Sequence, residues 1–230
     1  MYNRIFRFHY RGSLNREYTD NELAEAIHSC KTNIMKLIKD GRIMTAALYH
    51  HRHMLFLYYE TINNAYEESH SEVICPEKFC SALTPYMQEW PGAEGNRLWV
   101  SMYHIYYHAI PEGTEDWKRP ATPELRRGRI AFLYPDKLYS YIYHHLNIVN
   151  EGLLTGDKYQ SIALHENILF SYFEEPKTMM NIKRDLSCSS EVINEWIAVD
   201  PESHFIHYPE CLGENFMFLP AYFALGQESV

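Results

Sequence analysis

Tyr141 and His145 stand four residues apart in Tyr141-Ile142-Tyr143-His144-His145, a stretch whose spacing reads as helix. Residues four apart lie one above the other on a helical face, so both side chains can reach into one pocket. An imidazole that titrates near neutrality gives and takes protons at physiological pH, and a phenol beside it can orient or relay them. Tyr159, at the start of the following strand, can face the same cavity. Such a set suits acid/base chemistry on a hydroxylated small molecule. It equally suits an aromatic helix face packed on a sheet, and the residues alone leave both readings open. Two His-rich stretches invite a metal reading instead. In His50-His51-Arg52-His53 no carboxylate or thiol sits at ligand spacing, and the segment falls on a tight turn. His204 and His207 with Asp200 and Glu210 form a second such group in a long loop, and no metal site is expected from either.

The elements that must position these residues occur twice. His51-Arg52-His53-Met54-Leu55-Phe56-Leu57-Tyr58-Tyr59-Glu60 lies over His165-Glu166-Asn167-Ile168-Leu169-Phe170-Ser171-Tyr172-Phe173-Glu174, 114 residues on. Identity falls at the first His, the Leu-Phe pair, a Tyr and the closing Glu. A period this long is a whole domain, since solenoid repeats run about 20 to 50 residues. In the first copy Ile5 to Arg11 alternates as a half-buried strand does. A helix follows with Asp20 as N-cap, then strands near 43–50 and 53–60, a helix opened by Pro76, and a strand near 97–107. The order β-α-β-β-α-β is ferredoxin-like. The second copy repeats it with a strand at 129–134, a helix near 136–152 and strands near 158–165 and 167–174. Helical sequence follows Pro176, and a last strand runs near 215–225. Asn215 and Tyr222 of that strand fall opposite Asn96 and Tyr103, and Pro220 marks an edge or a bulge. The stretch 199–213 reads as a long loop. The expected fold class is therefore α+β: domains at 1–110 and 129–230, joined by a Pro- and Gly-containing linker at 111–128.

Composition narrows the partners. A formal charge of −9 over 230 residues argues against nucleic acid, whose phosphates ask for clustered Lys and Arg. Nothing approaches the roughly 18 uninterrupted apolar residues of a membrane span, and the first residues lack the apolar core of a signal peptide. Cys30, Cys75, Cys80, Cys188 and Cys211 are odd in number and scattered, which suggests reduced thiols in a cytoplasmic protein. Nineteen Tyr and thirteen His suit a polar pocket for a neutral hydroxylated ligand, and suit amphipathic strands as well.

Pro135-Asp136, with Tyr141 six and His145 ten residues after the proline, resembles the start of the L-rhamnose mutarotase family. Tyr159 followed by Asn167-Ile168-Leu169-Phe170 is similar to that family's next two strands. In the first copy His28, Leu55-Phe56, and Cys80 with Tyr86-Met87 closing at Pro91 match the same frame. The resemblance implies two tandem ferredoxin-like domains forming an intramolecular dimeric α/β-barrel, a pseudo-dimer within one chain. Further pairing of chains stays open. It implies sugar mutarotation without cofactor or metal, with His145 as acid/base, Tyr141 as its partner and Tyr159 holding a hydroxyl. The family's sugar-stacking Trp pair falls at Leu83-Thr84 in the first copy, and the nearest candidate in the second is Trp196. Ala24 stands where the first copy would need a Tyr beside His28, so that site reads as degenerate and the second copy as the active one. Two other functions share the frame: a haem- or quinone-type monooxygenase on the same barrel, and a duplicated ligand-binding module without catalysis.

Overall fold

The computed structural model describes residues 3–15, 17–64, 74–92, 95–177, 183–184 and 189–229. It is a mixed α+β fold in two compact units. Unit 1 comprises Met1–Met102, Pro111–Thr122 and Pro220–Val230, and unit 2 comprises Tyr103–Ile110 and Pro123–Leu219. No described helix is long and apolar enough to cross a membrane.

In unit 1, β1 (Asn3–Ser13) leads into α1 (Asp20–Lys39). The cap of this helix is Thr19, one residue before the expected Asp20. Its hydroxyl accepts from the Glu22 amide while the Glu22 carboxylate accepts from the Thr19 amide, a reciprocal box that satisfies two otherwise orphaned donors. Ala26, Ile27, Cys30, Ile34 and Ile38 form the buried stripe of α1 and pack on Ala46, Leu48, Leu55 and Leu57. The latter four belong to the hairpin of β2 (Ile43–His51) and β3 (Met54–Asn64). The helix expected from Pro76 is shorter than its apolar spacing suggests. One α-turn, α2 (Pro76–Phe79), gives way to a tighter helical piece at Ser81–Tyr86 that contains Pro85. Proline has no amide hydrogen for the ladder and clashes with the preceding turn.

The strand expected over 97–107 is two strands in different sheets. β4 (Trp99–Ser101) pairs with β1, whereas β5 (Tyr103–Tyr107) lies in unit 2. Segment 111–122 is not a bare connector. It carries α3 (Thr114–Trp117), whose Trp117 is fully buried. Trp117 Nε1 donates to Glu60 Oε1 at 2.9 Å, and Arg119 grips the same carboxylate with both terminal nitrogens at 2.7 and 2.9 Å.

Unit 2 is built on β6 (Leu125–Leu133), α4 (Leu138–Glu151), the short β7 (Leu154–Thr155), β8 (Ser161–His165) and β9 (Ile168–Glu175). β10 (Lys183–Arg184) pairs with β7, and α5 (Glu191–Ala198) follows. The helical sequence expected after Pro176 falls mainly on 178–182 and 185–188, outside the described residues. The stretch read as a long loop is ordered: β11 (Phe205–Ile206) pairs with β6 between two single helical turns. The strand expected over 215–225 splits at Pro220 into β12 (Met217–Leu219) on β6 and β13 (Ala221–Gly226) on β2.

Strand order in the first sheet is β13-β2-β3-β1-β4, and in the second β11-β6-β9-β8-β5 with β12 also on β6. In the register of these strands Phe223 pairs with Leu48 and Tyr106 pairs with Ile162. A register shift falls between Ala221 and Phe223 in β13 and between His104 and Tyr106 in β5. The hairpin turns agree as well, with Arg52 and Glu166 both in the left-handed region at φ 55 and 54.

Candidate functional site

The sequence Leu-Tyr-Ser-Tyr-Ile-Tyr-His-His-Leu-Asn-Ile-Val-Asn-Glu gives α4 one buried stripe of Tyr141, His144, His145 and Ile148. This face meets Ile105 and Tyr106 of β5, Leu133 of β6 and Phe205 of β11. Gly152, left-handed at φ 69, ends the helix, which glycine does without a Cβ clash.

Tyr141 and His145 are brought together: their rings stack at 3.8 Å and 19°. His145 Nδ1 lies 2.9 Å from the Tyr141 carbonyl. A carbonyl only accepts, so Nδ1 carries the hydrogen and Nε2 keeps the lone pair. Burial pushes the His145 pKa down to about 4, with His204 and His144 adding to the effect against the backbone hydrogen bond. His145 is therefore neutral across the physiological range. Burial raises the Tyr141 phenol as well, so it keeps its proton.

Trp196 of α5 fills the space over this pair. Its ring is edge-on to His145 at 4.9 Å and to Tyr141 at 5.7 Å, and lies 5.5 Å from His144 and 4.9 Å from His204. Trp196 thus packs against the two residues expected to do chemistry. His204 sits behind it: Nδ1 donates to the Asp200 carbonyl at 3.2 Å and Nε2 accepts from the Ser140 hydroxyl at 2.9 Å. Asp200 reaches that position in a left-handed conformation, φ 53. Tyr159 stands half-buried in the turn before β8, and His28 lies exposed on α1 of unit 1. Among the described residues no three His, Cys, Asp or Glu side chains gather as metal ligands. His207 instead contacts Asn215 at 2.6 Å and Glu202 at 3.8 Å.

A cavity opens one step along α4. Its volume is about 400 Å³, and it is lined by Tyr106, His108 and Ile110 from β5 and its continuation, and by Ile148 and Val149 of α4. Tyr106 Oη is buried and makes no hydrogen bond, and burial pushes its phenol up to about 12. Its ring is edge-on to His108 at 4.9 Å and to His145 at 5.6 Å. The His108 ring rests on Gly156, where a Cβ would overlap it, so only glycine admits the ring there. Neither Tyr106 nor Gly156 stands out in the sequence. Tyr106 is one of several aromatics in its strand, and the glycine's partner lies 48 residues away.

A haem macrocycle would need an open slab on the Nε2 side of His145. Trp196 and Tyr106 pack edge-on against the His145 ring at 4.9 and 5.6 Å, and the cavity is lined by Tyr106 and His108 rather than by His145. The residues present do not fit haem.

No family model and no curated protein matches the chain. Solved structures do match. A "putative monooxygenase" from Fusobacterium nucleatum is 11% identical, with 98% of this chain and 96% of that chain covered at a TM-score of 0.42. A second, from Lactobacillus acidophilus, is 8% identical with 100% and 99% covered at 0.42. A "putative chlorite dismutase" is 12% identical with 94% of each chain covered at 0.42. Likeness at this level carries no activity to this chain. The resemblance to the L-rhamnose mutarotase family, and isomerase activity with it, are corrected. These full-length neighbours carry names of other chemistries, and the geometry opposes mutarotation. That reaction needs one group to take the anomeric proton and another to protonate the ring oxygen. Here both side chains are buried, and Trp196 packs edge-on against each of them.

Proposed function

We propose that the chain binds a small phenolic aromatic molecule in the cavity of unit 2 and oxidises it as a cofactor-free, quinone-forming monooxygenase. The observation that carries this reading is Tyr106, which lines a cavity of about 400 Å³ while its buried Oη has no hydrogen-bond partner. Burying such a group unpaired costs about 1–3 kcal/mol, which a ligand oxygen accepting its hydrogen recovers. Ile110, Ile148 and Val149 suit the apolar faces of a ring, and His108 is placed to take a phenolic proton. The reaction balances without a bound redox group. A ring methylene loses two hydrogens, one oxygen atom of O2 becomes its carbonyl, and the other leaves as water. The substrate and O2 exchange all the electrons.

The test is dioxygen uptake with anthrone substrates, with quinone product followed by absorbance. One O2 consumed per quinone carbonyl formed, at a rate lowered in Tyr106→Phe, supports the reading. Uptake no faster than without protein sinks it.

A second reading is a duplicated ligand-binding module without catalysis, which saturable binding without oxygen uptake would favour. It draws on the neutral, covered His145 and on signs of duplication. These signs are two sheets with the same internal strand order, matching register shifts at Tyr222 and Ile105, and matching Tyr58-Glu60 and Tyr172-Glu174 pairs. They support reading the chain as two tandem ferredoxin-like domains forming a pseudo-dimer, in which each copy's last strand is built into the sheet of the other copy.

A further inference from the structure

Arg129 is a half-buried cation on the helix-facing side of a sheet, and it lacks the counter-charge its neighbours have. Ala131 and Leu133 of β6 pack into the core beneath α4, so Arg129, two residues earlier, shares their face. Register sets Ser171 and Phe218 directly beside it, and Phe173 one pair further along. Its guanidinium lies 4.4 Å from the Phe216 ring centroid and 5.1 Å from that of Phe173. The other two arginines of this strand each face a carboxylate: Arg126 stands 3.6 Å from Glu174, and Arg127 donates to Glu175 at 3.1 Å. Among the described residues the one hydrogen bond of the Arg129 side chain runs from Nε to Ser171 Oγ at 3.4 Å, and no carboxylate pairs with it.

A second cation shares the Phe173 ring, with Lys177 Nζ 4.4 Å from its centroid. Burial lowers the pKa of the Lys177 ammonium and the Arg129 charge lowers it further, against the pull of Asp157 and Glu175. Tyr141 of α4 adds a third donor. The Arg129 charge bears on its phenol, and among the described residues its hydroxyl makes no hydrogen bond. Guanidinium and ammonium groups cannot accept hydrogen bonds, and this phenol keeps its proton. Arginine stays charged at every physiological pH, so Arg129 cannot relieve its partial desolvation by losing a proton. An anion is what such a set of groups lacks.

We propose that Arg129, Lys177 and Tyr141 form a carboxylate-binding site on the helix-facing side of β6 and β9, for a small acid with an apolar carbon body. The terminal nitrogens of Arg129 present the planar fork that a carboxylate matches with two parallel hydrogen bonds. The Tyr141 hydroxyl and the Lys177 ammonium serve its remaining lone pairs. Phe173 and Phe216 give the carbon body apolar contact. None of the three donors lines the cavity at Tyr106, and the assignment is independent of any oxidation chemistry there.

The experiment titrates the full chain with benzoate at constant ionic strength and follows the Arg129 Nε–H resonance by NMR. A saturable shift is expected, and none from benzamide, a neutral analogue of nearly the same shape. Lys177→Gln raises the midpoint about tenfold. Tyr141→Phe, which keeps the buried ring, raises it about threefold while the melting temperature holds. Saturating benzoate also raises the pKa of the Lys177 ammonium, read from its ε-methylene protons as pH is varied. Tyr106→Phe leaves the benzoate midpoint where it was, which separates this site from the unit 2 cavity. No saturable shift, an equal response to benzamide, an unchanged midpoint in either Lys177→Gln or Tyr141→Phe, or sulfate bound as tightly as benzoate overturns the proposal.

Discussion

Tyr58 donates its phenol hydrogen to the Glu60 carboxylate, two residues along the same face of β3, at 2.6 Å. Tyr172 and Glu174 repeat the contact in β9 at 2.7 Å. These are the Tyr and closing Glu that survive as identities between the two hairpins. In unit 1 the carboxylate is completed by Trp117 and Arg119. In unit 2 Arg126 stands 3.6 Å from Glu174.

Glu60→Gln should cost about 3 kcal/mol of unfolding free energy, because it leaves the buried Arg119 guanidinium without its counter-charge. Urea denaturation measures it, and a loss under about 0.5 kcal/mol would refute an anchoring role for the ion pair. Burial alone would raise the Glu60 carboxyl, but Arg119 and the hydrogen bonds around it hold it below its ordinary value of 4.5. A lowered folded pKa means the contribution is present above pH 4.5 and disappears as pH falls through the folded value. The acid limb of the stability curve should flatten in the variant.

His145 works over a higher window. Its folded pKa of about 4 lies below the ordinary 6.5, so the unfolded chain binds the extra proton first as pH drops. Stability should decline from about pH 6.5 toward pH 4, by about 3 kcal/mol in all. In His145→Gln that slope should become shallower between pH 6.5 and 5, with His50 and His204, also lowered by burial, supplying what remains. An unchanged slope would refute the buried neutral state.

Tyr106→Phe separates stability from binding. Removing a hydroxyl that has no partner should leave unfolding free energy unchanged or raise it by up to about 1 kcal/mol. Affinity for phenolic ligands should fall about tenfold. A variant clearly less stable than the parent would mean that the hydroxyl is already satisfied within the fold.

Gly156→Ala should cost about 1–3 kcal/mol, since the methyl enters the volume of the His108 ring and forces it aside. The unit 2 cavity should change with it, so ligand binding there is expected to weaken. Unaltered binding would show that His108 does not shape the cavity.

The hairpins, the apolar stripe of α1 and the stacked Tyr141-His145 pair were legible because they are local: each follows from spacing inside one element. What covers the pair was not. Trp196, His204 and Phe205 come from segments more than 50 residues away, and helix periodicity carries no trace of them. The split of the last strands was hidden for a similar reason. Alternation over 97–107 shows a strand but not which sheet receives it, and the change of sheet at Met102 interrupts no hydrophobic run. The shared Tyr and Glu were visible as letters. Nothing in the hairpins themselves shows that Trp117 and Arg119, more than 50 residues further on, complete one of the two carboxylates.

The reciprocal placement of β5 and β13 bears on how such a chain can be taken apart. A gene cut after Ile110 yields two fragments, each carrying the outer strand of a sheet whose remaining strands are encoded by the other. Alone, each would expose the unpaired edge of β2 or β8, the kind of bare strand that recruits foreign chains and aggregates. Made together, each holds the missing piece of the other, which suits the pair to use as a split reporter whose signal depends on reassembly.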